Sequence, residues 1–75
     1  MTVEQAGEIA RHAAARHRVE LVHCGPAADS DGYEVRMRKY GTDYSTLMQW
    51  SEDKPPEHFR AEVFNLAERC AEGPT

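Results

Sequence analysis

The chain predicts an α+β fold class: a two-layer α-β-β-β-α arrangement, with an antiparallel three-stranded sheet and two helices packed on one face. Three observations predict it. Apolar residues recur at helical spacing near both ends of the sequence. Between them, two stretches alternate apolar and polar residues across a glycine-containing turn. The length, 75 residues, accommodates one small domain spanning 1–75.

The first helix is expected over 3–17. Thr2 followed by Gln5 fits a capping box, in which each side chain satisfies the other residue's backbone N–H. Val3, Ala6, Ala10, Ala13 and His17 then recur at alternating steps of three and four, with Ile9 beside them. Early carboxylates (Glu4, Glu8) and late cations (Arg11, Arg16) suit the helix dipole. The stripe is mostly Ala, so this helix can approach a neighbour closely while burying little per residue.

Residues 19–24 read as a short strand, and the loop Gly25-Pro26-Ala27-Ala28-Asp29-Ser30-Asp31-Gly32 follows. Strands over 33–40 and 43–50 flank Gly41-Thr42, a two-residue loop with Gly first that fits a type II′ hairpin. Pairing Tyr40 with Asp43 sets Tyr33, Val35, Met37 and Lys39 opposite Trp50, Met48, Thr46 and Tyr44 on one face. Glu34, Arg36 and Arg38 then lie opposite Gln49, Leu47 and Ser45 on the other. After the polar link Ser51-Glu52-Asp53-Lys54, Pro55-Pro56 fits the opening of a second helix over 56–72. Phe59, Val63, Leu66, Ala67 and Cys70 form its apolar stripe, and Gly73-Pro74 stops it.

Ten residues are Ala, whereas Ile, Leu, Val and Phe together number eleven. A chain this short buries only about 60% of the surface its unfolded form exposes. The core must therefore lean on Trp50, Phe59, Phe64, Tyr33, Tyr44, Met37 and Met48. A homodimer, or docking on a larger partner, would bury more apolar surface.

No apolar run exceeds the three residues Ala13-Ala14-Ala15, so no membrane span is expected. The opening Met1-Thr2-Val3-Glu4-Gln5 has neither the positive start nor the apolar stretch of a secretory signal, and a cytoplasmic location is the expectation. Cys24 and Cys70 are too few and too far apart for a disulfide framework; both are expected free, with Cys70 buried.

Catalytic signatures are absent from the sequence: no Gly-rich phosphate loop, no Gly-x-Ser-x-Gly, no His-Glu-x-x-His. His23 and Cys24 are neighbours on a strand and point to opposite faces, which disfavours a nucleophile–base pair; His17 with Cys70 is the other pairing that can be drawn. The four His and two Cys lack the close ligand pairs of zinc sites. His12 and His17, five apart on a helix, do not share a face. His12 reads as a solvated neighbour of Glu8. No metal, no cofactor and no enzyme activity are expected.

Charge is unevenly spread. The net is −4, with an isoelectric point near 5.5. Residues 1–40 balance six cations with six anions, whereas 41–75 hold three cations and seven anions. Arg36, Arg38 and Lys39 on the second strand, with Arg11, Arg16 and Arg18 near the first helix's end, are the one cationic concentration. A nucleic-acid binder normally shows a basic face and a high isoelectric point. The second helix's outer positions, Glu57, Glu62, Glu68 and Glu72, make an acidic face, either solvated or an electronegative docking surface.

The helix–strand–strand–strand–helix order, Glu20-Leu21-Val22, the Gly25-Pro26 loop and then Tyr33-x-Val35-Arg36-x-Arg38 together resemble the double-stranded-RNA-binding domain over roughly residues 3–50. The resemblance implies a nucleic-acid-binding module using the Arg36/Arg38 sheet face, with Arg16 and Arg18. The chain departs from that family in two places. Ala27, Ala28 and Asp29 stand where the family has a His after Gly-Pro. Glu52-Asp53-Lys54-Pro55-Pro56-Glu57 stands where it has a phosphate-gripping lysine cluster. With those departures the resemblance implies a shared fold turned to protein binding.

The expectation is a non-catalytic, small acidic protein-binding module. Its profile is that of a phage or mobile-element inhibitor (anti-defence, anti-CRISPR-like) docking through Glu57, Glu62, Glu68 and Glu72 on a nucleic-acid-handling complex with a basic surface.

Overall fold

Thr2 and Gln5 do form the capping box: Gln5 N–H donates to Thr2 Oγ1 at 3.1 Å and Thr2 N–H to Gln5 Oε1 at 2.9 Å. They open α1 (Val3–His17) in a computed structural model that describes residues 1–28, 32–49, 53 and 55–73. Arg18 ends the helix in the left-handed region (φ 57°), where its N–H and that of Val19 return to the carbonyls of Ala15 and Ala14. Three strands follow: β1 (Glu20–Pro26), β2 (Gly32–Lys39) and β3 (Thr42–Gln49). The chain closes with α2 (Pro56–Glu72).

The strands form one antiparallel sheet in the order β1-β2-β3. Both helices cover one face, α1 against β1 and α2 against β2 and β3, and the helices pack on each other. The fold is therefore the two-layer α+β arrangement that the periodicities predict. Both helices keep their expected bounds. The strands shift: β1 begins one residue later than 19 and continues through Gly25-Pro26, because those residues pair with Glu34 and Tyr33.

The hairpin differs in register. Tyr33 faces Met48, Val35 faces Thr46, Met37 faces Tyr44, Arg38 faces Asp43 and Lys39 faces Thr42. The loop is Tyr40-Gly41, with positive φ at both residues (54° and 75°), which is a type I′ turn in place of the expected II′. The register slides by two residues along β3, so every side chain keeps its expected face. What the slide gains is an oppositely charged pair, Arg38 and Asp43, directly across the ladder. Trp50, which the expected register placed opposite Tyr33, lies outside the described residues.

β2 is the central strand and supplies the fully covered inner face, Tyr33, Val35 and Met37. The Ala stripe of α1 (Ala6, Ala10, Ala13, Ala14) and Phe59, Val63, Leu66, Ala67 and Cys70 of α2 close over it. Phe59 meets Tyr33 edge-on, with centroids 5.8 Å apart. The flanking strands contribute half-covered side chains: Leu21 and Cys24 from β1, Tyr44 and Met48 from β3. Val22 is an extra residue in β1, a bulge between the Leu21–Met37 and His23–Arg36 pairs. Among the described residues no helix is long and apolar enough to cross a membrane.

Gly32 opens β2 where β3 comes close. A methyl group there would stand 2.9 Å from Leu47 Cδ1 and 3.0 Å from the Met48 carbonyl oxygen. Leu47 can swing aside, but the carbonyl moves only with β3. Gly32→Ala should therefore cost about 1–3 kcal/mol, the range for overpacking. The expected readout is a lower urea midpoint at unchanged m-value; a midpoint equal to the parent's would show that β3 yields freely.

Candidate functional site

The pitch of a helix decides which outward side chains act together. Round α2, Glu57, Glu68 and Glu72 fall within about 60° of one another, opposite the buried Phe59–Cys70 stripe, along roughly 22 Å of axis. Glu62 stands about 140° from Glu57 and so leaves the stripe, sharing a flank with Arg69. All four carboxylates are exposed, and none forms an ion pair among the described residues. The expected acidic face is thus brought together as a line of three, with Glu62 to one side.

The expected basic face is not assembled. Arg36 and Arg38 lie on the uncovered side of the sheet. Arg16 is exposed on α1, which lies across the other side, and Arg18 occupies the α1 cap. The two strand arginines are also engaged. Arg36 Nη2 donates to Glu34 Oε2 at 3.1 Å. Arg38 grips Asp43 through two hydrogen bonds, Nε to Oδ1 and Nη2 to Oδ2 (3.2 Å), and reaches Glu20 at 3.9 Å. Arg38 therefore holds the Asp43 carboxyl below the usual carboxylate range, first through the hydrogen bond and then through its charge. With Glu20, Glu34 and Asp43 beside Arg36 and Arg38, this surface offers no surplus of positive charge.

The alternation predicts Tyr40 inside the second strand, and the structure places it in the turn. It occupies the hairpin tip, 78% exposed, in a left-handed conformation that a tyrosine rarely adopts. Lys39 Nζ lies 5.2 Å from its ring centroid. The ring also lies near Gly73, the residue after Glu72, where an added methyl group would stand 3.9 Å from Tyr40 Cδ2. The acidic line of α2 therefore ends beside an exposed aromatic. An Asn-Gly or Gly-Gly pair is the ordinary choice for such a turn, and the signal that a tyrosine fills it is available only once the register is known.

His23 faces Arg36 on the open side of the sheet and Cys24 faces Val35 on the covered side, so the two do point apart. Cys24 Sγ lies 3.3 Å from Tyr33 Oη and 3.9 Å from the Ala6 carbonyl oxygen. Burial, then the Cys24 hydrogen bond, pushes the Tyr33 phenol above its ordinary range. These two groups line a groove of about 420 Å³ together with Val3, Glu4, Gly7, Glu8 and Arg11 of α1. Cys70 is a buried thiol, pushed up by that burial.

His12 and His17 both meet Phe64 edge-on, at 6.0 and 6.2 Å, and Arg60 lies 5.0 Å from the same ring. His12 thus helps join α1 to α2 and is more than a solvated neighbour of Glu8. Among the described residues no three His, Cys, Asp or Glu side chains gather where a metal ion could be held. Comparison with protein-family models, curated proteins and solved structures finds no match to this chain.

Two outcomes follow from the hairpin. Because Asp43 has a lowered folded pKa, its contribution is complete above the unfolded value of about 3.9 and is lost as pH falls through the folded value. Asp43→Asn should therefore flatten the acid limb of a stability–pH curve; an unchanged limb would mean that the pair contributes nothing. Tyr40→Asn, which relieves a left-handed L-residue, should raise stability by about 1 kcal/mol, read as a higher thermal midpoint. A lower midpoint would show that the ring contacts outweigh the strain.

Proposed function

We propose that this chain acts by binding and not by catalysis, as a small acidic module that docks on a larger protein or complex carrying a basic surface. The observation that carries the reading is the exposed Glu57–Glu68–Glu72 line, whose carboxylates form no ion pair among the described residues, on a molecule whose strand arginines are occupied by carboxylates. Tyr40 supports it, since an exposed, strained tyrosine beside a charged stripe has the character of an interface anchor. A protein that handles nucleic acid must hold phosphates in basic grooves. A rigid line of carboxylates meets the same groove and is steered to it electrostatically. In its particular form the proposal is a phage or mobile-element inhibitor of such a machine (anti-defence, anti-CRISPR-like), acting in the cytoplasm.

The second reading is a nucleic-acid-binding module. The observation in its favour is the α-β-β-β-α order, shared with the double-stranded-RNA-binding domain. Against it stand the Glu34 and Asp43 contacts of Arg36 and Arg38.

The test pairs the wild-type chain with a Glu57→Lys/Glu68→Lys/Glu72→Lys variant as baits in extract from the cells that carry the sequence. Each captured protein is then purified and titrated at low and high salt. The expected result is a basic partner whose affinity falls at least tenfold on reversal and weakens with salt for the wild type only. A partner held equally by both baits would sink the proposal. So would a low-salt gel shift of duplex RNA that is lost in Arg36→Glu/Arg38→Glu, which is the outcome the second reading requires.

A further inference from the structure

The sheet has two outer edges, and they are not alike. β1 is interrupted by the Val22 bulge and ends in Gly25-Pro26, whose proline has no N–H to offer. β3 runs eight residues, Thr-Asp-Tyr-Ser-Thr-Leu-Met-Gln, with no proline, glycine, lysine or bulge. Its one charge, Asp43, is held by Arg38. Of the devices that ordinarily blunt a strand edge, β3 carries among the described residues only the charge of Asp43.

The turn fixes which backbone groups this edge presents. In a two-residue hairpin the residues flanking the loop, Lys39 and Thr42, form a hydrogen-bonded pair. Thr42, Tyr44, Thr46 and Met48 thus bond inward to β2. Asp43, Ser45, Leu47 and Gln49 direct their N–H and C=O groups away from the sheet, and among the described residues nothing pairs with them.

We propose that the β3 edge is a self-association surface, at which two copies join antiparallel about a two-fold axis through Thr46 into one six-stranded sheet. The sequence of the strand selects this register. Outward-bonding Ser45 then pairs with Leu47 of the second copy, and Asp43 with Gln49. Between them Thr46 faces its own copy and Tyr44 faces Met48, as close non-hydrogen-bonded pairs. Tyr44 and Met48 are the side chains that α2 leaves half-covered. Centring the axis on Ser45 would instead set Asp43 against the 61%-exposed Leu47 and Tyr44 against Thr46.

The axis stands perpendicular to the sheet, so both helical layers stay on one side and the assembly closes at two. The flank of α2 turned away from α1 carries Glu62 and Arg69, opposite charges that an antiparallel second copy presents in reverse order. Apolar burial at the seam also adds to a core short of large side chains. This surface is separate from the Glu57–Glu68–Glu72 line, so charge reversal on α2 leaves its test untouched.

Sedimentation velocity of the purified chain at rising concentration should show mass moving from 8.5 kDa toward twice that value. Salt should strengthen the association, since each copy carries −4. Ser45→Pro removes an outward N–H without touching the β2 ladder and should hold the chain monomeric. Register is read separately, with chains that keep the parent fold. Thr46→Cys in a Cys24→Ser background, treated with oxidised glutathione, should give a covalent dimer many-fold faster than Ser45→Cys, because only residue 46 meets itself across the axis. A wild-type chain monomeric at every concentration overturns the proposal, as does one that accepts only a foreign strand at this edge. Equal cross-linking at 45 and 46 overturns the register, and with it the argument for the second copy.

Discussion

Arg38 stands directly across from Asp43 because the chain reverses at Tyr40-Gly41 and not one residue later, and much of the molecule depends on that placement. With both loop residues in the left-handed region, the turn matches the right-handed twist of the flanking strands. The ladder then sets Val35 and Met37 under the helices with Thr46 and Tyr44 beside them. The same register aligns two carboxylates, Glu20 and Asp43, on either side of Arg38. One geometric choice at the turn thereby decides what is buried, what is neutralised and which backbone groups remain open at the β3 edge.

The core is built around that choice with few large side chains. β2 alone has its inner residues fully covered, since a central strand has neighbours on both sides while β1 and β3 each have one. The Ala stripe compensates by letting α1 settle closely against α2 and the sheet, and Phe64 fills the seam between the helices against His12 and His17. A thin core of this kind places a premium on close fit. That is why Gly32, whose Cβ would meet the Met48 carbonyl, sits where β2 and β3 come together.

Element type and order were legible in the sequence because both rest on local periodicity. The α1 cap, the α2 stripe and the inward alternation of Tyr33, Val35 and Met37 need only neighbouring residues to be read. Register was less legible. A two-residue slide conserves every face, so hydrophobic alternation cannot distinguish the two registers. The discriminating term is the cross-strand Arg38–Asp43 pair, weighed against the strain of a left-handed Tyr40. The bulge at Val22 was likewise hidden, since a lone extra residue leaves no mark in a seven-residue strand. Of the candidate surfaces, the acidic line follows from helical pitch, and the same pitch sets aside Glu62, which the expected four-residue face included. The strand arginines can be counted in the sequence, whereas the contacts of Arg38 with Asp43 and Glu20 depend on ladder register.

Partnership also explains how a net charge of −4 comes to be expressed where it is. In the alternative register Arg38 would oppose Ser45 and Asp43 would sit at the turn, leaving Glu20 as the one carboxylate directly across the ladder from Arg38. In the register adopted, Glu34, Asp43 and Glu20 occupy both strand arginines, so that face is nearly balanced. In α2 four carboxylates outnumber Arg60 and Arg69, and Glu57, Glu68 and Glu72 are held in line by the helix and turned away from the core by its apolar stripe. Ladder geometry, far from α2 in sequence, adds Asp43 to the carboxylates beside Arg38 and so leaves the Glu57–Glu68–Glu72 line as the surface on which the docking proposal rests.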